Sequence, residues 1–322
     1  MLWEVCKYCK KLYTSKVLIV FFCVCIFCIN ANGQEVSGIA GAFADIGYGA
    51  RPIGMGGAYV ALASDPYAVL WNPACLPYVR GWQVSTMYTK QFGLIPYGLV
   101  TAAKDINENQ GVGIAALTSG DEILRETSLY VAYGRRLQSL GSIFKNIAFG
   151  TTVKLRLSSF GNNSDGGELR SRGNASGYGL DLGLRWKFAH KWTLGLFLRD
   201  AVNKVYYNNE TRGENYGEAV PTALLLGTAF MARSNMVFVL DLDKALYEDL
   251  DDKVLVGAEW MLFNTIFLRG GWAQTLNTEP NRKINVGFGL QYFQNDFGVR
   301  FDFAYQLHFL ANTPRVSVSC WF

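Results

Sequence analysis

Histidine is nearly absent from this 322-residue chain: there are two, His190 and His308, far apart in sequence. No Gly-x-Ser-x-Gly elbow and no His-Glu-x-x-His pair occurs. With no nucleophile set beside a base, the sequence points away from an enzyme, and no catalytic residue, metal or cofactor is expected. Cysteine is also scarce where it would matter. Five of the seven, Cys6, Cys9, Cys23, Cys25 and Cys28, fall in the first 33 residues. Cys75 and Cys320 alone make neither a disulfide framework nor a zinc site. Long apolar runs are missing too. The longest unbroken one, residues 17–29, spans 13 residues, short of the ~18 that a membrane-spanning helix needs.

That short run has a different use. Lys7, Lys10, Lys11 and Lys16 surround its start, and Ala31-Asn32-Gly33 follows it. A basic start, an apolar stretch and small residues predict a cleaved secretory signal over residues 1–33, with Gln34 as the mature start. The segment's four lysines and one glutamate account for three of the four net positive charges of the whole chain. The remainder is near neutral, which leaves no electrostatic case for nucleic acid.

What is abundant is alternation. In residues 284–292, Ile284, Val286, Phe288, Leu290 and Tyr292 share one face, opposite Asn285, Gly287, Gly289 and Gln291. Residues 296–306 set Phe297, Val299, Phe301, Phe303 and Tyr305 against Gly298, Arg300, Asp302 and Gln306. Residues 178–188 repeat the pattern. A period of two with one wholly apolar face means that one side of each strand meets something oily. The small and charged residues opposite suit the lumen of a barrel.

Fourteen such segments can be counted from Trp82 onward. The fold expected is all-β: a 14-stranded antiparallel transmembrane β-barrel, even-numbered as single-chain bacterial barrels are. The connections are sorted. Residues 159–173, 203–219, 244–251 and 274–280 are long and polar, whereas the turns at 189–190, 232–235, 263–264 and 294–295 are tight. Long loops on one side and short turns on the other is the outer-membrane asymmetry. The last strand, 314–322, ends on Trp321 and Phe322, where an interfacial girdle belongs.

Residues 34–81 read differently, as a hatch rather than wall. Asp65-Pro66 and Asn72-Pro73 each place an N-cap acceptor before a proline, predicting two short helices. Gly54-Met55-Gly56-Gly57 does not make a dinucleotide-binding loop, because Tyr59 stands at the third glycine position. Close backbone packing at a turn accounts for it. The predicted organisation is therefore 1–33 signal, 34–81 hatch and 82–322 barrel.

Residues 49–61, Gly-Ala-Arg-Pro-Ile-Gly-Met-Gly-Gly-Ala-Tyr-Val-Ala, then Asp65 and Trp71-Asn72-Pro73-Ala74, resemble the N-terminal signature of the PorV/PorQ family, and more distantly that of FadL-type fatty-acid channels. Gly179-Leu180-Asp181-Leu182-Gly183, Gly257-Ala258-Glu259-Trp260 and Leu268-Arg269-Gly270-Gly271 are similar to its barrel motifs. The chain departs from the pattern at Cys75 and Pro77. The resemblance implies a FadL-like barrel with an N-terminal hatch, carrying the motif residues Arg51, Gly54, Gly56, Gly57, Asp65, Trp71, Asn72 and Pro73. It also implies a transport role or a part in type IX secretion.

Two further sets of residues follow from the alternation. Lys154, Arg156, Asp181, Arg185, Glu259, Arg269, Arg300 and Asp302 fall on polar faces and are expected as lumen charges that hold the hatch, with Arg51 pairing Asp181 or Asp302. Some of them could instead line a solute path. Tyr206, Tyr207 and Tyr216 mark the loop 203–219 as a docking surface, since aromatics anchor interfaces. The expected partners are membrane lipid and either secretion-system proteins or hydrophobic small molecules.

Overall fold

In a computed structural model, the protein is described over residues 46–138, 145–161, 172–247, 250–276 and 281–322. The expected signal at 1–33 and the start of the hatch at 34–45 lie outside these residues. So do parts of three of the long loops.

The wall consists of β1 (Trp82–Gln91), β2 (Ile95–Asn107), β3 (Gln110–Gly120), β4 (Leu124–Arg136) and β5 (Ile147–Phe160). It continues with β6 (Gly173–Ala189), β7 (Trp192–Asn209), β8 (Glu214–Glu218), β9 (Ala223–Arg233) and β10 (Met236–Ala245). The last five strands are β11 (Lys253–Leu262), β12 (Ile266–Thr275), β13 (Arg282–Gln294), β14 (Phe297–His308) and β15 (Thr313–Trp321). Each pairs antiparallel with its neighbour, and β1 pairs with β15, with Thr86 opposite Val318. The sheet is a closed ring of 14 strands. The short β8 is not in the ring: it folds back on the end of β7, while the first half of β7 pairs with β9.

This corrects one sequence expectation. Residues 203–219 are not a loop. Asn203 to Asn209 continue β7, and β8 completes a hairpin that overhangs the long-loop end of the barrel. Its residues alternate Val205 in, Tyr206 out, Tyr207 in, a pattern that the polar composition of the segment obscured.

The alternation along the wall has its physical cause in the two solvents on either side. In β14, Gly298, Arg300, Asp302, Ala304 and Gln306 are buried toward the lumen, while the aromatic set between them faces out. Leu, Val, Ile and Phe side chains remain 40–60% exposed around the outer wall, among them Val100, Ile114, Leu155, Leu240 and Val286. An apolar surface that continuous is unsuited to water and suited to lipid. Closure removes the strand edges of the 14-strand ring, so its backbone is satisfied within the wall. No helix among the described residues is long and apolar enough to cross a membrane.

The interior is filled by residues 46–79. They form α1 (Ala50–Gly54), α2 (Ala68–Trp71) and a 3-10 turn, Pro73–Tyr78. Met55, Tyr59, Val60, Tyr67, Val69 and Leu76 have no accessible surface. Asn72 starts the 3-10 turn by accepting from Ala74 N, with Pro73 in the first position. Asp65 does not cap as expected. α2 begins only at Ala68, and Asp65 instead closes a turn by accepting from Tyr67 N, which leaves its other oxygen for ion pairing.

Candidate functional site

The hatch is fastened to the wall by one buried ion cluster and a set of hydrogen bonds and backbone contacts, while a second ion cluster ties three wall strands to one another. The first cluster is a closed ring of six groups. Arg51 in α1 grips Glu259 of β11 with Nε at 2.9 Å and Nη2 at 2.8 Å, and donates Nη1 to Asp65 at 3.0 Å. Glu259 also accepts from Arg269 Nε of β12 at 2.6 Å. Arg269 Nη1 reaches Asp302 at 2.8 Å, and Asp302 accepts from Arg300 Nε at 2.9 Å. Arg300 Nη2 returns to Asp65 at 3.6 Å. Three guanidiniums and three carboxylates alternate, so the ring is neutral. That balance is what makes its burial tolerable, because a lone buried ion costs several kcal/mol. Tyr59 adds a hydroxyl donor to Asp65.

The expected partner of Arg51 was wrong. Asp181 is in the other cluster, and Asp302 reaches Arg51 only through the ring. Glu259 and Asp65 take the guanidinium instead, because α1 packs against β12–β15, next to β11, and not against β6.

The second cluster lies on β5–β7. Lys154 Nζ contacts Asp181 at 2.8 Å and Asp200 at 3.1 Å, and Arg156 Nη2 meets Asp200 at 2.6 Å. Asp200 is missing from the residues picked out in the sequence, and for a physical reason. Strict alternation along β7 sends Leu194, Leu196, Leu198 and hence Asp200 outward. A bulge with φ of 54° at Asp200, facing Asp181, turns it inward. Its N–H donates to Asp181 Oδ1 at 2.7 Å. A charge falling on the apolar face of an otherwise regular strand was the available signal. Arg185 joins neither cluster. It stacks on Tyr78 at 3.9 Å, beside Arg136 at 5.4 Å.

Backbone contacts complete the seat. Asp241 of β10 accepts from Tyr59 N at 2.7 Å and Val60 N at 3.0 Å. Arg315 of β15, wholly buried, donates to the carbonyls of Gly47 and Ile46 at 2.8 Å each. Both residues were missed, although Arg315 shares its strand face with Ser317 and Ser319, and that face points inward. Asn72 Nδ2 joins hatch to wall by donating to Val60 O and to Leu184 O. Trp71 Nε1 donates to Tyr48 O at 2.9 Å. The turn Gly54-Met55-Gly56-Gly57 lies directly on the wall: a Cβ on Gly56, at φ 73°, would sit 2.7 Å from Val256 O. Opposite it, a Cβ on Gly271 would come within 2.0 Å of Gly56 N. Glycines on both sides let two backbones touch.

Above the hatch a cup opens at the long-loop end. Ile53, Trp71, Leu225 and Leu255 line its lower part, and Lys253 and Lys283 its upper part. Of the three tyrosines expected at the docking surface, Tyr206 and Tyr216 are exposed. Tyr207 is turned in, 8% exposed, and stacks on Tyr216 with ring centroids 5.2 Å apart. Among the described residues no cluster of His, Cys, Asp or Glu could hold a metal ion. Burial pushes the thiol of Cys75 up to about 12.

The geometry defines the class: a β-barrel whose lumen is occupied by an ion-paired N-terminal hatch. Its fold is that of FadL-like barrels. The toluene transporter TodX of Pseudomonas putida aligns with a TM-score of 0.59 and 15% identity, over 85% of this chain and 98% of that one. A Pseudomonas aeruginosa FadL homologue gives 0.58 and 11%, over 83% and 95%. The Ralstonia pickettii toluene transporter TbuX gives 0.57 and 13%, over 87% and 98%. At such identities the likeness is one of fold. No curated protein matches the sequence. The family is shown by a sequence model matching residues 67–318: the chain belongs to the type IX secretion system membrane protein family PorP/SprF. The sequence motifs had resembled PorV/PorQ, and the family that matches is PorP/SprF.

Proposed function

We propose that this protein is a non-enzymatic outer-membrane component of type IX secretion that works by docking partner proteins at its long-loop end. The observation that carries this reading is the hatch. Residues 46–79 are held by the six-membered ion ring, by Asp241 and by Arg315, and their backbone touches the wall at Gly56. A lumen fastened in this way supports a scaffold better than a water-filled pore. The family supports secretion as the process. On this reading residues 1–33 are the export signal, residues 34–81 the hatch, and the long loops face outside. Tyr206 and Tyr216 supply exposed aromatic anchors on the β7–β8 hairpin, and the six-group ion ring serves to hold the seat.

The finer PorV/PorQ resemblance suggests the same kind of role, with substrates or partner proteins docking on the barrel. A second reading rests on the cup, whose apolar floor suits a hydrophobic small molecule. Its fold neighbours include channels described as carrying toluene or monoaromatic hydrocarbons. A pulldown from solubilised outer membranes separates the two. Recovery of other secretion components, reduced in a Tyr206→Ala/Tyr216→Ala variant, supports docking. An isolated barrel that carries co-purified lipid or fatty acid, with no protein partner, would sink it in favour of the channel.

A further inference from the structure

The short-turn end of the barrel is electrically lopsided. The three hairpins β4–β5, β6–β7 and β9–β10 carry Arg135, Lys145, Lys187, Lys191 and Arg233 in or next to their turns. Residues 133–150, 184–194 and 229–238 contain no Asp or Glu. Arg136 and Arg185, stacked on Tyr78, add two more positive charges toward the lumen mouth. The other sector is different. Residues 254–268 and 284–299, and the chain end from Val316, contain no Lys or Arg. Arg80, just before β1, faces Asp105 at 3.8 Å, and Lys104 of β2 sits over the Trp82 ring at 4.9 Å.

The same sector carries an aromatic ladder on the outside of the wall. Trp186 and Phe188 lie 5.5 Å apart, Phe188 and Trp192 6.4 Å, and Trp192 and Phe230 4.5 Å. Trp186, Phe188 and Trp192 are each 40–44% exposed. Tyr133 and Phe149 extend the ladder onto β4 and β5, and Tyr133 shares its strand face with Arg135. Aromatics of this kind stand at the boundary between acyl chains and headgroups. Strand residues rise about 3.3 Å each, so cations one to three positions beyond the ladder reach headgroup level. Lys191, next to Trp192 in the turn, and Arg135, two positions beyond Tyr133, stand in this way, whereas Lys187 alternates onto the lumen side.

We infer that this sector, β4 to β10 at the short-turn end, is a binding site for anionic phospholipid. The cations take the phosphodiester and any further headgroup charge, and the ladder takes the upper acyl chain. Lipid is favoured over an acidic protein because cations and exposed aromatics belong to the same hairpins. A soluble partner bound at the charges would leave the ladder uncovered. The site would also anchor one side of the barrel, because β11 to β15 carry aromatics without cations at the same end. The inference rests on the membrane placement proposed above, and not on what the long loops dock.

The test uses the full chain reconstituted in phosphatidylethanolamine vesicles, doped with equal mole fractions of brominated phosphatidylglycerol or brominated phosphatidylethanolamine. Insertion is checked by heat-modifiable gel migration. Tryptophan quenching by the brominated anionic lipid should exceed that by the zwitterionic one, with the local excess rising by up to about fivefold per contributing cation at low salt. A variant R135Q/K145Q/K191Q/R233Q should equalise the two lipids. The charge-preserving variant R135K/K145R/K191R/R233K should keep the preference. Equal quenching in the wild type, or an undiminished preference in the glutamine variant, overturns the lipid site. Equal quenching together with protection of Lys145 and Lys191 from amine modification by polyglutamate would assign the sector to an acidic protein instead. Failure to form a heat-modifiable barrel in vesicles would overturn the membrane reading, and the lipid site with it.

Discussion

Replacing Arg51 by methionine should open the hatch without opening the barrel. Arg51 makes three of the ring's hydrogen bonds, two to Glu259 and one to Asp65, and it is the only cation that the described hatch contributes to the ring. Removing one partner of a buried ion pair typically costs 3–5 kcal/mol. Glu259 keeps Arg269, and Asp65 keeps Tyr59 and the longer contact to Arg300, so the lower end, about 3 kcal/mol, is expected. That corresponds to a rise of roughly 100-fold in the open population. Cys75 reports it. The residue is buried in the 3-10 turn, and burial holds its thiol at about 12, so a maleimide reacts only when the hatch lifts. In a Cys320→Ser background, labelling of Cys75 should accelerate by about that factor, while heat-modifiable migration of the barrel changes little. Glu259→Gln should act in the same direction. The double variant should fall short of the sum by roughly 2 kcal/mol, because each single change leaves the ring charged and the pair together restores its balance. Strict additivity, or unchanged labelling in Arg51→Met, would refute the claim that this ring holds the hatch.

Three other outcomes follow from the same contacts. Alkaline pH should release the hatch: burial pushes the Cys75 thiol up to about 12 and also raises the phenols of Tyr59 and Tyr67 above their ordinary range. These groups stay neutral when closed and ionise first when open, so their contribution is complete below about pH 9 and is lost as pH rises through the folded values, as limited proteolysis across pH 8–11 would show. Gly56→Val should cost more than about 2 kcal/mol, since a β-branched residue at φ 73° is strained and its Cβ strikes Val256 O. Wild-type labelling of Cys75 in that variant would show that the turn does not press on the wall. Asp200→Ala removes the carboxylate that Lys154 and Arg156 share and should lower the urea midpoint by the equivalent of roughly 3–5 kcal/mol. A midpoint equal to wild type would mean that the bulge is held by its backbone alone.

The wall was legible in the sequence and the fastening was not. A strand's period of two is local, so the oily faces of β6, β13 and β14 could be read from each strand by itself. Turn chemistry and loop length then gave the ring its even count and its two unlike ends. The hatch's glycines and the Asn72-Pro73 start were also local signals. Pairing is another matter. Arg51 and Glu259 are 208 positions apart, and which wall charge meets which hatch charge depends on where α1 comes to rest inside the closed barrel. Alternation showed that Glu259, Arg269, Arg300 and Asp302 face inward, but not that Arg51 and Asp65 would complete a neutral ring among them.

Two residues mark the limit from the other side. Arg315 could be placed in the lumen by parity with Ser317, yet its role as donor to the carbonyls of Ile46 and Gly47 exists only once β15 closes against β1. Asp200 defeats parity altogether, because a bulge changes the face that a side chain takes, and the bulge forms where Asp181 and Asp200 can share Lys154. The sequence by itself determined that this chain makes an oily-walled barrel with a separate segment to fill it. Only the tertiary structure decided how that segment is locked in, because a buried charge is satisfied by whichever opposite charge the closed wall brings within 3 Å, and that neighbour is set by registry around the whole ring.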